Sequence, residues 1–267
     1  MYKREGYSSG NKKSQKEKGK KIRRLAGAVL LLAGMGGLVL FGPPDLVRKT
    51  REQAVQSGAE AGTEDMGQAV EEELTAVQAE QKVSMIVVDP GHGGEDGGSE
   101  RGGVLEKDVN LAIALALEER LLDMGYEVAL AREGDSYRVK EDRVKMANEI
   151  QADVYVSIHQ NTYKDRGVEG IEIWYDEQDT DRDSESLARL IHEETIRLTG
   201  AVRRGLKDGS GLHVTGKTKM PACLIETGFL SNADEREKLI TREYQEKIAE
   251  GIARGIHQYL YTKTQEG

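Results

Sequence analysis

Ile86-Val87-Val88-Asp89-Pro90-Gly91-His92-Gly93-Gly94 is the stretch on which the reading of this chain turns. A short β-branched run ends in a Pro-Gly break, and a lone histidine follows inside a glycine loop. That order reads as a buried strand delivering one side chain to the mouth of a sheet. Glycines at 91, 93, 94, 97 and 98 allow positive φ and close backbone approach to a ligand. A flexible turn carrying an exposed histidine fits the same residues, so the partners found downstream decide between the two.

From Val83 onward a strand–helix rhythm sets in. Strands are expected at Met85–Asp89, Glu127–Arg132, Val154–Ile158, Gly170–Tyr175 and Ala222–Glu226. Helices are expected at Glu106–Met124, Arg138–Ile150, Ser184–Thr199 and Arg242–Tyr261, the first stopped by Gly125. Such alternation predicts an α/β class: a single domain, residues 84–262, with a largely parallel twisted central sheet flanked by helices.

Three apolar strands end in candidate ligands or bases. Ile86-Val-Val leads to His92, Val154-Tyr-Val-Ser-Ile to His159, and Ala222-Cys-Leu-Ile to Glu226. In open α/β sheets the site lies outside the carboxyl ends of the strands, so these groups converge there. Glu106 opens the helix after the glycine loop and faces the same rim. Asn110, one turn on, is placed to hold that carboxylate from behind. Two neutral imidazoles and a carboxylate make a catalytic zinc set with one position left for water. A carboxylate that is not a ligand must then move the proton, and Glu226 stands where it can. The ordinary alternatives are a satisfied core histidine at 159, a dipole-favoured first-turn acid at 106 and a strand-end carboxylate at 226. Of the remaining histidines, His192 and His257 lie in helices, and His213 sits near the rim. Cys223 reads as a small buried hydrophobe.

The N-terminal third has a different character. Residues 1–24 carry ten Lys/Arg against two acids, which leaves the rest of this net −9 chain at about −17. An acidic body excludes a nucleic-acid binder held by phosphate contacts. One cysteine excludes an internal disulfide framework and a thiolate metal cluster. The basic tract reads as a disordered cytoplasmic tail. The uncharged run 25–41 reads as a transmembrane signal anchor, favoured over a cleaved signal because no good cleavage site follows. That orientation puts everything beyond Phe41 outside the membrane, as a single-pass extracytoplasmic protein. Residues 42–83 are a stalk in which Met66, Val70, Leu74 and Val77 suggest one amphipathic helix.

Taken together, Val88-Asp-Pro-Gly-His-Gly-Gly94, Leu105-Glu-Lys107, Ser157-Ile-His-Gln-Asn161 and Met220-Pro-Ala-Cys-Leu-Ile-Glu-Thr-Gly-Phe-Leu-Ser-Asn232 resemble the motifs of the zinc-dependent N-acetylmuramoyl-L-alanine amidases of the Amidase_3 type. The resemblance runs from about residue 84 to 262, in the family's order. It implies zinc on His92, Glu106 and His159, Glu226 as catalytic acid/base, and cleavage of the amide between the lactyl group of N-acetylmuramic acid and L-alanine of peptidoglycan. The plan of basic tail, anchor and bare catalytic domain is similar to sporulation amidases of the CwlD type. Gln160 departs from the family, which usually has a smaller residue before the Asn. Asn161, Arg204 and Lys207 are candidate substrate contacts, with Arg203, Lys217 and Lys219 as further basic positions. A zinc peptidase or deacetylase of the wall, or an inactive wall-binding module, stands as the alternative. No stretch identifies an activating partner.

Overall fold

The computed structural model describes residues 30–34, 37–41 and 83–266. The chain divides into two units, Met1–Gln81 and Lys82–Gly267. In the first, strands β1 (Leu30–Gly34) and β2 (Gly37–Phe41) pair antiparallel, from Leu30 opposite Phe41 to Gly34 opposite Gly37. A membrane-spanning helix over 25–41 is therefore not what the described part of this run forms, and among the described residues no helix is long and apolar enough to cross a membrane. Gly34 and Gly37, which pair with each other, favour this outcome, because glycine weakens a helix interior. The basic tail 1–24 and the proposed stalk helix around 66–77 lie outside the described residues.

The second unit is α/β. Its strands are β3 (Met85–Pro90), a small hairpin of β4 (Glu100–Arg101) and β5 (Val104–Leu105), then β6 (Glu127–Leu130), β7 (Val154–Asn161), β8 (Ile171–Tyr175), β9 (Arg203–Asp208) and β10 (Ala222–Phe229). The helices are α1 (Glu106–Asp123), α2 (Lys140–Glu149), α3 (Ser184–Thr199), α4 (His213–Gly216), α5 (Ala233–Leu239) and α6 (Arg242–Glu266). Six strands form one sheet in the order β6-β3-β7-β10-β8-β9. Pairing is parallel from β6 through β10 and again between β8 and β9, while β10 and β8 run antiparallel.

The β-branched runs are central strands because both their faces are buried, the usual state of a parallel sheet. Side chains alternate across the sheet, and the cores follow that alternation. Ile86, Val88, Val154, Val156, Ile158, Cys223 and Ile225 enter the larger core beneath α1, α3 and α6. Val87, Tyr155, Ala222 and Leu224 enter a smaller one with Val144 and Ala147 of α2. The sheet is thus fixed from both sides, and β3, β7 and β10 lie side by side as its centre. Hydropathy pattern misses the β4–β5 hairpin, the short helices α4 and α5, and strand β9. Arg203-Arg-Gly-Leu-Lys-Asp208 lacks a clean apolar alternation and owes its strand conformation to pairing with β8 at the sheet edge.

Candidate active site

The three central strands point their carboxyl ends at one rim. Beyond β3, the Gly91 N–H donates to the Ile158 carbonyl at 3.0 Å, so the glycine loop starts against β7. A Cβ at Gly91 would fall 2.2 Å from Cε1 and Nε2 of His159, and one at Gly98 (φ +65°) 2.7 Å from Glu106 Oε2 and His92 Cδ2. The glycines are read from sequence as letting backbone approach a ligand. Here they let it approach the protein's own ligating side chains.

Glu106, 3% exposed at the start of α1, is the hub. Its Oε1 lies 3.1 Å from His92 Nε2 and 2.9 Å from His159 Nδ1, and it accepts from the Gln160 N–H at 3.2 Å. Its Oε2 accepts from the Ser99 N–H at 2.9 Å. Asn110 donates from Nδ2 to Gly91 O at 3.2 Å and reaches Glu106 Oε1 at 3.5 Å. Asp96 Oδ2 sits 2.8 Å from His92 Nδ1, which leaves Nε2 to face Glu106. Burial disfavours charge on Glu106, but hydrogen bonds and charge from His159 and His92 prevail and hold its carboxyl well below the usual range. Burial likewise opposes protonation of His92; Glu106, then Asp96, outweigh it and raise its pKa to about 9.

His92, Glu106 and His159 each offer one ligand atom, all within 4.8 Å of one another. Both imidazole contacts to Oε1 need a proton in between. A dication would satisfy the same three atoms at once, and two imidazole nitrogens with a carboxylate oxygen suit zinc. The residues present fit such an ion.

Glu226 lies on β10 opposite His159 of β7 and Glu172 of β8. Its Oε2 is shut off from solvent and has no hydrogen-bond partner. Burial pushes its pKa up to about 7; the charge of His159 opposes this, while Glu106 and Glu172 add to it. A buried carboxylate oxygen without a donor is rare enough to mark a functional group.

The expected substrate contacts are placed differently. Asn161 donates to Glu172 Oε1 at 2.8 Å and accepts from the Thr162 N–H at 2.7 Å. Arg204 donates to Glu172 Oε2 at 2.9 Å and lies 5.0 Å over the Phe229 ring. Both serve a buried glutamate beside Glu226. Lys207 sits on the edge strand β9 opposite Trp174. A cleft of about 500 Å³ runs instead past His92 and His159 between Tyr137–Glu141 and Gly211–Val214, and His213 lines it. His192 is buried with Nε2 on Ile171 O, His257 contacts the Tyr126 hydroxyl, and burial pushes the Cys223 thiol up to about 12.

Pattern alone does not single out Asp96, whose signal is its position four residues after His92 on the glycine loop. Gln160, where the family usually has a smaller residue, is buried: Nε2 donates to Asn110 Oδ1 at 3.2 Å, and Oε1 accepts from the Thr227 hydroxyl at 2.8 Å. That acceptor–donor order leaves the Asn110 amide nitrogen turned towards Glu106 and Gly91.

Residues 86–258 match the Amidase_3 family, N-acetylmuramoyl-L-alanine amidase. The germination-specific N-acetylmuramoyl-L-alanine amidase of Bacillus subtilis (strain 168) is 35% identical over 193 residues, covering 67% of this chain and 81% of that one. The crystal structure of an N-acetylmuramoyl-L-alanine amidase from Clostridium difficile 630 superposes with a TM-score of 0.66 at 37% identity, over 68% of this chain and 100% of that one. The CwlD amidase of Clostridioides difficile, solved in complex with the GerS lipoprotein, gives a TM-score of 0.61 at 34% identity, over 67% and 99%.

Proposed function

The chain belongs to the Amidase_3 family, and we propose from that membership and from the site that it is a zinc-dependent peptidoglycan hydrolase. It cuts the amide between the lactyl group of N-acetylmuramic acid and the L-alanine of the stem peptide. The observation that carries this reading is the meeting of His92, Glu106 and His159 within 4.8 Å, on the same rim as the partnerless Glu226 Oε2.

In this reading His92, Glu106 and His159 would hold the ion, which would supply the Lewis acidity that activates water at neutral pH and polarises the scissile carbonyl. Asp96 accepts from His92 Nδ1–H and so presents the Nε2 lone pair. Asn110 and the Ser99 and Gln160 N–H groups orient the Glu106 carboxylate. Glu226 takes the proton of the attacking water at Oε2 and hands it to the leaving L-alanine nitrogen. Burial that raises its pKa towards neutrality suits a group that must both accept and return a proton.

The germination-specific relative and the CwlD neighbour support a spore-cortex polymer as the setting. The order of a basic tract 1–24 and an uncharged run 25–41 is that of an export signal and supports delivery of the domain to the outer face, where the polymer lies.

Mass spectrometry of purified peptidoglycan digested with the full chain tests the reaction. The expected products are intact glycan strands and stem peptides with a new L-alanine N-terminus, absent when a chelator is added. Cut stem peptides would mean a peptidase, and deacetylated glycan a deacetylase. A second expectation concerns protons. Metal-free His92 is protonated at pH 7, because its pKa lies near 9, whereas a ligand imidazole must be neutral at Nε2. Loading Zn2+ should therefore release protons, and apparent affinity should climb with pH up to about 9. Calorimetry in phosphate and in Tris reads this directly; a binding enthalpy independent of the buffer contradicts it.

A further inference from the structure

His92 takes a left-handed backbone conformation, with φ at 61°. Few non-glycine residues do so, and those that do depend on surroundings that over-determine them. The surroundings here are two buried arginines, Arg132 and Arg143, each 4% exposed. Arg143 Nη1 donates to Pro90 O at 2.8 Å and Nη2 to His92 O at 2.7 Å. Arg132 Nε donates to Pro90 O at 2.9 Å, and its Nη2 to Gly91 O at 3.0 Å and to Lys107 O at 2.8 Å. Three consecutive carbonyls of the loop that carries His92 thus end on guanidinium groups. The Lys107 carbonyl ties the same grip to the first turn of α1, where Glu106 stands.

The grip is anchored in the core. The Asp89 carboxylate pairs with Arg143 Nη1 through Oδ1. Asp89 Oδ2 accepts from the Tyr155 hydroxyl at 2.5 Å and from Ser157 Oγ at 3.0 Å. Arg143 Nε donates to Arg138 O at 2.8 Å, and Arg132 Nη1 to Gly134 O at 2.9 Å. A planar fork with five donors can serve several carbonyls in fixed directions, and the single ammonium of lysine cannot. Neither arginine belongs to the ligand set or to the proton transfer at Glu226.

We propose that Arg143 and Arg132 are positioning residues for His92. Their guanidinium groups hold the Pro90–His92 carbonyls so that the histidine keeps its left-handed conformation and directs Nε2 at Glu106. The inference rests on the reading that His92 is a metal ligand.

The test uses the full-length Arg143→Lys variant, which keeps a cation opposite Asp89. Its readings are thermal melting of metal-free protein, zinc affinity against a chromophoric chelator, and the visible spectrum of the Co2+ form. Arg143→Lys leaves buried carbonyls short of donors, so metal-free melting falls in either case. A residue that only supports the fold leaves the zinc affinity and Co2+ bands of the folded variant at wild type, whereas a positioning residue weakens zinc binding of the folded variant by roughly 10–100-fold and alters the Co2+ bands. A folded variant with wild-type zinc affinity and Co2+ spectrum overturns the proposal. If Arg143→Lys does not fold, Arg132→Lys decides by the same readings, since its partners are backbone carbonyls and no buried acid loses its counter-charge. Wild-type protein that binds no zinc would instead remove the metal reading, a result distinct from either.

Discussion

Glu226→Gln is expected to keep its fold and its zinc while losing turnover by about 10²–10⁴-fold, the usual span for a general acid–base group. The substitution is nearly isosteric and touches none of the three atoms that cluster within 4.8 Å, so metal content measured after gel filtration should match wild type. What goes is the basic oxygen that accepts the proton. The pH profile carries the sign. Glu226 must begin as a carboxylate, so the wild-type rate should rise with pH through an acid limb. That limb should lie at or below about 7, the value burial gives Glu226 without a cation, because a nearby dication favours the charged form. Stability runs the other way. A carboxyl whose pKa rises from 4.5 to about 7 on folding costs nothing below 4.5, a growing amount between 4.5 and about 7, and a constant amount above that. Metal-free Glu226→Gln should therefore melt above metal-free wild type at pH 8, and alike at pH 4. Unimpaired turnover in the variant would remove Glu226 from the chemistry.

His159→Ala is expected to lose both metal and activity. It takes one of two imidazoles from the set and leaves His92 and Glu106 alone, too few protein ligands for a catalytic zinc site. The fold should survive. The His159 side chain is one-fifth exposed, at the end of β7, and the backbone pairing of Ile158 and His159 with Ile225 and Glu226 does not depend on the ring. Zinc content after dialysis should fall from stoichiometric to trace, with metal-free melting near wild type. Stoichiometric zinc at wild-type affinity would contradict a ligand role for His159.

Much of the architecture is legible in the chain because burial on both faces of a parallel sheet writes itself as unbroken apolar runs. Ile86–Val88, Val154–Ile158 and Ala222–Ile225 read as strands for that reason and form the centre of the sheet. The convergence of 92, 159 and 226 follows from one rule of α/β sheets, that strand ends share a rim. Neither source reaches β9, at one edge of the sheet. Strand β9 has no apolar alternation and exists because β8 offers it a free edge. Asn161 and Arg204 read as substrate contacts. The antiparallel turn of β8 brings Glu172 up beside Glu226, and both side chains hydrogen-bond to it.

The arginine clamp is the clearest case of what pattern withholds. In sequence Arg143 is one charge in a charged helix, the ordinary sign of a solvated face. Apart from Arg138 O, its acceptors are a side chain and backbone carbonyls more than fifty residues earlier, and a backbone carbonyl has no letter of its own. Residue order by itself determined the α/β class, the central strands and the identities of the four polar groups at their rim, because periodicity and residue type act locally. Only the tertiary structure decided which nitrogen meets which oxygen, that Glu226 Oε2 has no partner, and that two buried guanidiniums hold the histidine loop. Those depend on distances between segments that the chain brings together only when it folds.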